Sequence, residues 1–161
     1  MTVKLEVGQK APDFDLPRAG GGRISLADLR GAPAVIWFYP AANTPLCTRQ
    51  ACDLRDSFVG LDAAGVRVVG ISPDPVADIE RFVSEQQLPF DMASDEDHAV
   101  MEAYGAWGEK NMYGKLTMGV IRSSFVIDEH GTLTNVRYRV GTPRHAEWVA
   151  SAVGLTPGGD R

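Results

Sequence analysis

The stretch Ala34-Val-Ile-Trp-Phe-Tyr-Pro-Ala-Ala-Asn-Thr-Pro-Leu-Cys-Thr-Arg-Gln-Ala-Cys-Asp-Leu-Arg-Asp-Ser-Phe58 reads as a buried strand, a short loop and a helix. Residues 34–39 are apolar without alternation, the pattern of a strand covered on both faces. Thr44-Pro45 marks a helix start, with a hydroxyl at the cap position and a proline at the first helical residue, where its missing N–H is not needed. Beyond it Cys47, Ala51, Leu54 and Phe58 follow i, i+4, i+7, i+11 spacing and form one buried helical stripe.

Working outward, Val66-Arg-Val-Val-Gly-Ile71 and Ser124-Phe-Val-Ile127 are further β-prone runs separated by stretches of helical periodicity. This order predicts an α/β fold with a sheet covered by helices on both faces. Residues 132–140 alternate instead, and they follow the turn signal Asp128-Glu-His-Gly131, so an antiparallel hairpin with 124–127 is expected. The sheet is therefore mixed. Helix starts are also expected at Asp74-Pro75, at Thr142-Pro143, and at Ser94, where Asp95, Glu96 and Asp97 complement the helix dipole. Gly20-Gly21-Gly22 lacks the context of a phosphate loop and reads as a turn. Trp37, Trp107 and Trp148 are expected to pack in or beside the core.

The chain has 161 residues, 44% hydrophobic and 23% charged, without repeats or a dividing linker, which fits a single domain. A net charge of −5 without long runs of one sign gives nucleic acid or an anionic membrane nothing to hold. The N-terminal residues lack the apolar stretch of a secretory signal, and no run approaches a membrane span, so a cytoplasmic protein is expected. In that setting two cysteines point to redox chemistry rather than a permanent bridge. Two cysteines without a paired histidine set do not make a zinc site, and His98, His130 and His145 are scattered enough to be core or surface residues.

If Thr44 is the N-cap, Cys47 is the third helical residue, beside unpaired N–H groups and the positive end of the helix dipole, an environment that favours a thiolate. The plainer alternative is a buried core cysteine. Cys52 bears on that choice through geometry. Helical residues five apart are rotated by about 140° and separated along the axis by roughly 7.5 Å, so their Cα atoms lie on the order of 8.5 Å apart. A disulfide needs about 4.4–6.8 Å. Any Cys47–Cys52 bond thus requires the helix start to unwind.

The run from Phe38 to Asp56 resembles the active-site loop and helix of peroxiredoxins, and most closely the bacterioferritin comigratory protein, or peroxiredoxin Q, type. Further matching segments are Lys10-Ala-Pro-Asp-Phe14, Val69-Gly-Ile-Ser72, Ser94-Asp-Glu-Asp-His-Ala-Val100, Lys110-Asn-Met-Tyr-Gly-Lys115 and Gly119-Val-Ile-Arg-Ser-Ser-Phe-Val-Ile-Asp128. They occur in family order with family spacing over nearly the whole chain. The resemblance implies a thioredoxin-like fold across residues 1–155, with 156–161 as a flexible tail. It implies a peroxidase without a cofactor, recycled by thioredoxin or a similar dithiol, acting as a monomer or weak homodimer. By position it makes Cys47 the peroxidatic cysteine, Cys52 the resolving cysteine, Thr44 the hydroxyl that contacts peroxide, Pro40 the residue shielding the pocket, and Arg122 the support for thiolate and transition state. One departure is Leu46, where this type often carries glycine. Two other functions fit the same residues: a redox sensor signalling through an unwound oxidised form, and a disulfide oxidoreductase acting on proteins.

Overall fold

Side chains on a strand alternate between faces, so a strand apolar at every position must be covered twice. Strand β3 (Ala34–Phe38) is buried at all of its residues. It sends Ala34, Ile36 and Phe38 into one apolar cluster and Val35 and Trp37 into another. The structure is a computed structural model describing residues 4–42, 44–112, 114–141 and 145–153. In it, β3 is the central strand of a five-stranded sheet. To one side it pairs parallel with β4 (Arg67–Ser72), which pairs parallel with β5 (Asp91–Ser94). To the other it pairs antiparallel with β8 (Ser123–Ile127), which pairs antiparallel with β9 (Leu133–Tyr138). The mixed α/β sheet expected from the sequence is thus present, in the thioredoxin-like arrangement.

Helices α1 (Pro45–Ala63), α2 (Val76–Gln86) and α4 (His145–Ala152) cover the Trp37 face. Helix α3 (Ala99–Tyr104) covers the other face together with the hairpin of β1 (Asp15–Pro17) and β2 (Arg23–Ser25). Gly20, Gly21 and Gly22 form the tip of that hairpin, all with positive φ, as a turn reading requires. A second antiparallel ribbon, β6 (Trp107–Met112) with β7 (Lys115–Val120), stands apart from the main sheet. The β8–β9 turn is held by the Asp128 carboxylate, which accepts the N–H groups of His130 and Thr132 at 2.8 and 3.0 Å. Trp37 is fully buried, and Trp107 and Trp148 are partly buried against the core.

Two expected helix starts are corrected. Pro75 is the N-cap of α2 rather than its first residue, and the Asp74 carboxylate is diverted to the Ala42 N–H and the Ser72 hydroxyl at 2.6 and 2.8 Å. Ser94 closes β5 instead of opening a helix, because its hydroxyl donates to the Asp74 carbonyl at 2.6 Å. Asp95 performs the capping from a distance, accepting the Val100 and Met101 N–H groups. The start expected at Thr142-Pro143 and the tail 156–161 lie outside the described residues.

Gly70 in β4 makes room for the indole under α1. A Cβ there would lie 2.9 Å from Trp37 Cε2 and 2.8 Å from Met92 Sδ. Met92 can swing away, but the indole is held against Tyr39, Phe90 and His145. Overpacking of this kind costs about 1–3 kcal/mol, and Gly70→Ala is expected to lower Tm by roughly 2–12 °C in a thermal melt.

Candidate active site

The chain leaves β3 through Tyr39 and Pro40 and enters α1 within a few residues, so the sheet's central strand fixes where the helix begins. Pro40 and Thr44 are both half-buried. Asp74, reaching across from the end of β4, pins this loop through the Ala42 N–H. Thr44 is the N-cap, with extended backbone, and Pro45 is the first helical residue, as its sequence predicts. The side-chain cap is not made. Thr44 Oγ1 donates to the Ala41 carbonyl at 2.8 Å instead, and among the described residues the first helical N–H to find a partner is that of Thr48, on the Thr44 carbonyl. The Leu46 and Cys47 N–H groups therefore lie ahead of the intrahelical ladder and uncapped by Thr44.

Cys47 is the third helical residue and is 1% exposed, packed in the cluster with Trp37, Tyr39, Ala51 and Leu54. The expected buried stripe is present, with Phe58 only half-buried at its far end. Gln50, one turn beyond Cys47, is completely buried on this same apolar face. A polar side chain in that position must be hydrogen-bonded. It is: Arg122 Nη1 donates to Gln50 Oε1 at 2.6 Å. Arg122 comes from the residue just before β8, the antiparallel neighbour of β3, so strand pairing brings it to the helix start from 75 positions later in the sequence. Arginine suits the place because it carries a permanent charge and several donors in one plane, one of which can be anchored while others face a substrate.

Cys52 sits on a different side of α1 and is half-buried. Its thiol donates to Gln86 Oε1 at 3.3 Å, and Arg55, on the same side of the helix, donates to the Gln86 carbonyl at 2.8 Å. The end of α2 thus holds this face of α1. Both cysteines are free, and α1 runs unbroken through both of them, so this is the reduced and folded form. Leu46, between the cap and Cys47, is 60% exposed rather than part of the packed wall.

The structure also places residues here that sequence reasoning missed. The Tyr39 hydroxyl is buried beside Ser72 and Asp74, and burial raises its pKa far above the usual phenol range. Gln50 had one legible signal, a polar residue three positions from Cys47 on an apolar stripe. Asp74 and His145 had none. Among the described residues no three His, Cys, Asp or Glu side chains are grouped to hold a metal ion, and no helix is long and apolar enough to cross a membrane.

Residues 7–136 match the AhpC/TSA family. A putative peroxiredoxin of Mycobacterium tuberculosis is 50% identical over 144 residues, covering 89% of this chain and 92% of the relative. Peroxiredoxin Bcp of Escherichia coli is 43% identical over 145 residues, covering 90% and 93%. Among solved structures, a bacterioferritin comigratory protein of Xanthomonas campestris, described for alkyl peroxide reduction, is 32% identical with a TM-score of 0.85, covering 92% of this chain and 97% of that one. A buried cysteine at the third position of α1, a thioredoxin-like sheet and these likenesses agree. The chain belongs to the AhpC/TSA family and is a peroxiredoxin of the bacterioferritin comigratory protein, or peroxiredoxin Q, type.

Proposed function

We propose that Cys47 is the thiol that reduces peroxide in this peroxiredoxin and that Cys52 resolves it within the same chain. The observation that carries this reading is the setting of Cys47: third residue of α1, with N–H groups beside it that Thr44 leaves uncapped and the Arg122 guanidinium bonded one turn further on. The Cys47 thiolate attacks one oxygen of hydrogen peroxide or an alkyl hydroperoxide. An S–O bond forms, the O–O bond breaks, and the departing oxygen takes a proton and leaves as water or alcohol. Cys47 becomes a sulfenic acid. Negative charge passes from sulfur to the leaving oxygen in this step, and donors fixed beforehand around that path stabilise it. Arg122 and the Leu46 and Cys47 N–H groups fill that role. Thr44, whose hydroxyl proton is committed to Ala41, keeps lone pairs with which to accept the proton of a bound hydroperoxide. Pro40, lacking an N–H, shields the pocket without competing as a donor.

Cys52 then attacks the sulfenic sulfur, forming the S–S bond and releasing water. Because Cys52 and its neighbour Arg55 are tied to the end of α2, the start of α1 is the part that unwinds to bring Cys47 across. An external dithiol, thioredoxin by family likeness, reopens the bridge by exchange in a cytoplasmic setting. The test is peroxide consumption coupled to thioredoxin and its reductase. Wild type is expected to turn over with hydrogen peroxide and with an organic hydroperoxide. Cys52→Ser is expected to consume about one equivalent rapidly and then stall, with a sulfenic acid that dimedone traps on Cys47. Sustained thioredoxin-dependent turnover by Cys52→Ser would remove Cys52 from the resolving role.

A further inference from the structure

We propose that His145 is a positioning residue for Arg122, acting through the Gln50 amide. The proposal rests on the reading of Arg122 given above. Arg122 Nη1 donates to Gln50 Oε1 at 2.6 Å, Gln50 Nε2 lies 2.9 Å from His145 Nδ1, and His145 Nε2 lies 2.9 Å from Ser124 Oγ. Gln50, His145 and Ser124 are each at most 1% exposed, so no water replaces a bond that is lost. The line crosses from the residue before β8 to α1, then to the first residue of α4, and returns to β8.

Hydrogen-bond chemistry gives this line a single direction. A guanidinium only donates, so Gln50 must present its oxygen to Arg122. The NH2 end of the amide then faces His145 and requires an acceptor. Nδ1 must therefore be unprotonated, which places the imidazole proton on Nε2, pointing at Ser124 Oγ. Every group in the line then has one orientation. A proton on Nδ1 would set two donors against each other, and turning the amide to relieve that would set Nε2 against Arg122. The His145 ring lies among Trp37 and Trp148, with centroids at 5.7 and 6.5 Å. Burial, together with the charges of Arg122 and Arg137, pushes its pKa down to about 3, so the acceptor at Nδ1 persists through neutral pH. A histidine kept only for packing would have no reason to end, through its partners, on the arginine bonded one turn beyond Cys47.

The experiment compares wild type with His145→Leu, His145→Asn and Arg122→Met in stopped-flow oxidation of Cys47 by hydrogen peroxide, with thermal melts alongside. Asparagine can place an acceptor oxygen where Nδ1 stands, and leucine cannot. His145→Leu is expected to slow oxidation about tenfold or more and His145→Asn to recover it to within about threefold of wild type, the scale set by misplacing a group near the reacting atoms. A folded His145→Leu protein reacting at the wild-type rate, or His145→Asn as slow as His145→Leu, overturns the proposal. Arg122→Met at the wild-type rate removes the reading of Arg122 and the proposal with it. A slow Arg122→Met beside a fast His145→Leu removes only the role of His145. If His145→Leu does not fold, nitrogen-15 NMR of the wild-type imidazole decides: a neutral Nε2–H tautomer at neutral pH supports the proposal, and an Nδ1–H tautomer or an imidazolium refutes it.

Discussion

Replacing Cys47 by serine is expected to lower peroxide turnover by at least about a thousandfold, the scale of loss when a catalytic nucleophile is removed. Serine nearly matches cysteine in size, so the packing against Trp37, Tyr39 and Ala51 should survive and the melting temperature should change little. The chemistry does not survive. An alcohol stays protonated at neutral pH and attacks an O–O bond poorly, whereas a thiolate is a strong nucleophile that can accept the oxygen. The competing view of Cys47 as a core cysteine expects the reverse, with activity intact and only a small stability effect. Coupled steady-state kinetics on Cys47→Ser and wild type, with circular dichroism to confirm folding, separates the two.

Arg122→Met should slow the first oxidation step by about a hundredfold to a thousandfold, the cost of removing one preorganised donor at developing negative charge. Methionine keeps much of the apolar stem but leaves the buried Gln50 oxygen without its donor, which adds about 1–3 kcal/mol of destabilisation. Arg122→Lys distinguishes charge from geometry. Lysine supplies one compact ammonium, which cannot both hold Gln50 and extend further donors in the same plane. It should recover part of the loss in rate, and it should do so for hydrogen peroxide and organic hydroperoxides alike. Single-turnover stopped-flow measurements give these rates directly, since they isolate the Cys47 step from the later exchange with a dithiol.

The parts of this fold that were legible in the sequence are those where burial is two-sided or where local chemistry is unambiguous. Residues 34–39 read as a covered strand, and Thr44-Pro45 read as a helix start. The β8–β9 hairpin showed through its alternation and its Asp128 turn. Strands β1, β2 and β5 are too short to show a period. The β6–β7 ribbon hid for another reason: Leu116 and Met118 of β7 are exposed although apolar, so its pattern does not report burial. The helix starts at Asp74 and Ser94 were misread because those side chains serve the site's scaffold. Asp74 holds the loop ahead of Cys47, and Ser94 holds Asp74.

The candidate site divides in the same way. Cys47, Cys52, Thr44 and Pro40 lie close together in sequence, so their family pattern and helical spacing could be read directly. Arg122 was reached through that pattern alone, and the structure adds the reason it arrives there, the antiparallel pairing of β8 with β3. Gln50, Asp74 and His145 act through partners 72, 32 and 95 positions away, and no local signal carries such pairings.

The central claim is that oxidation joins Cys47 to Cys52 in one chain by unwinding the start of α1. The most direct measurement treats the reduced protein with one equivalent of hydrogen peroxide. Peptide mapping then identifies the disulfide, and hydrogen exchange compares the oxidised with the reduced form. The account predicts an intramolecular Cys47–Cys52 bond and lost amide protection concentrated in residues 48–52, with α2 and α4 still protected. Cys47 oxidised without a bond to Cys52, or a bond formed while the start of α1 keeps its protection, would contradict it.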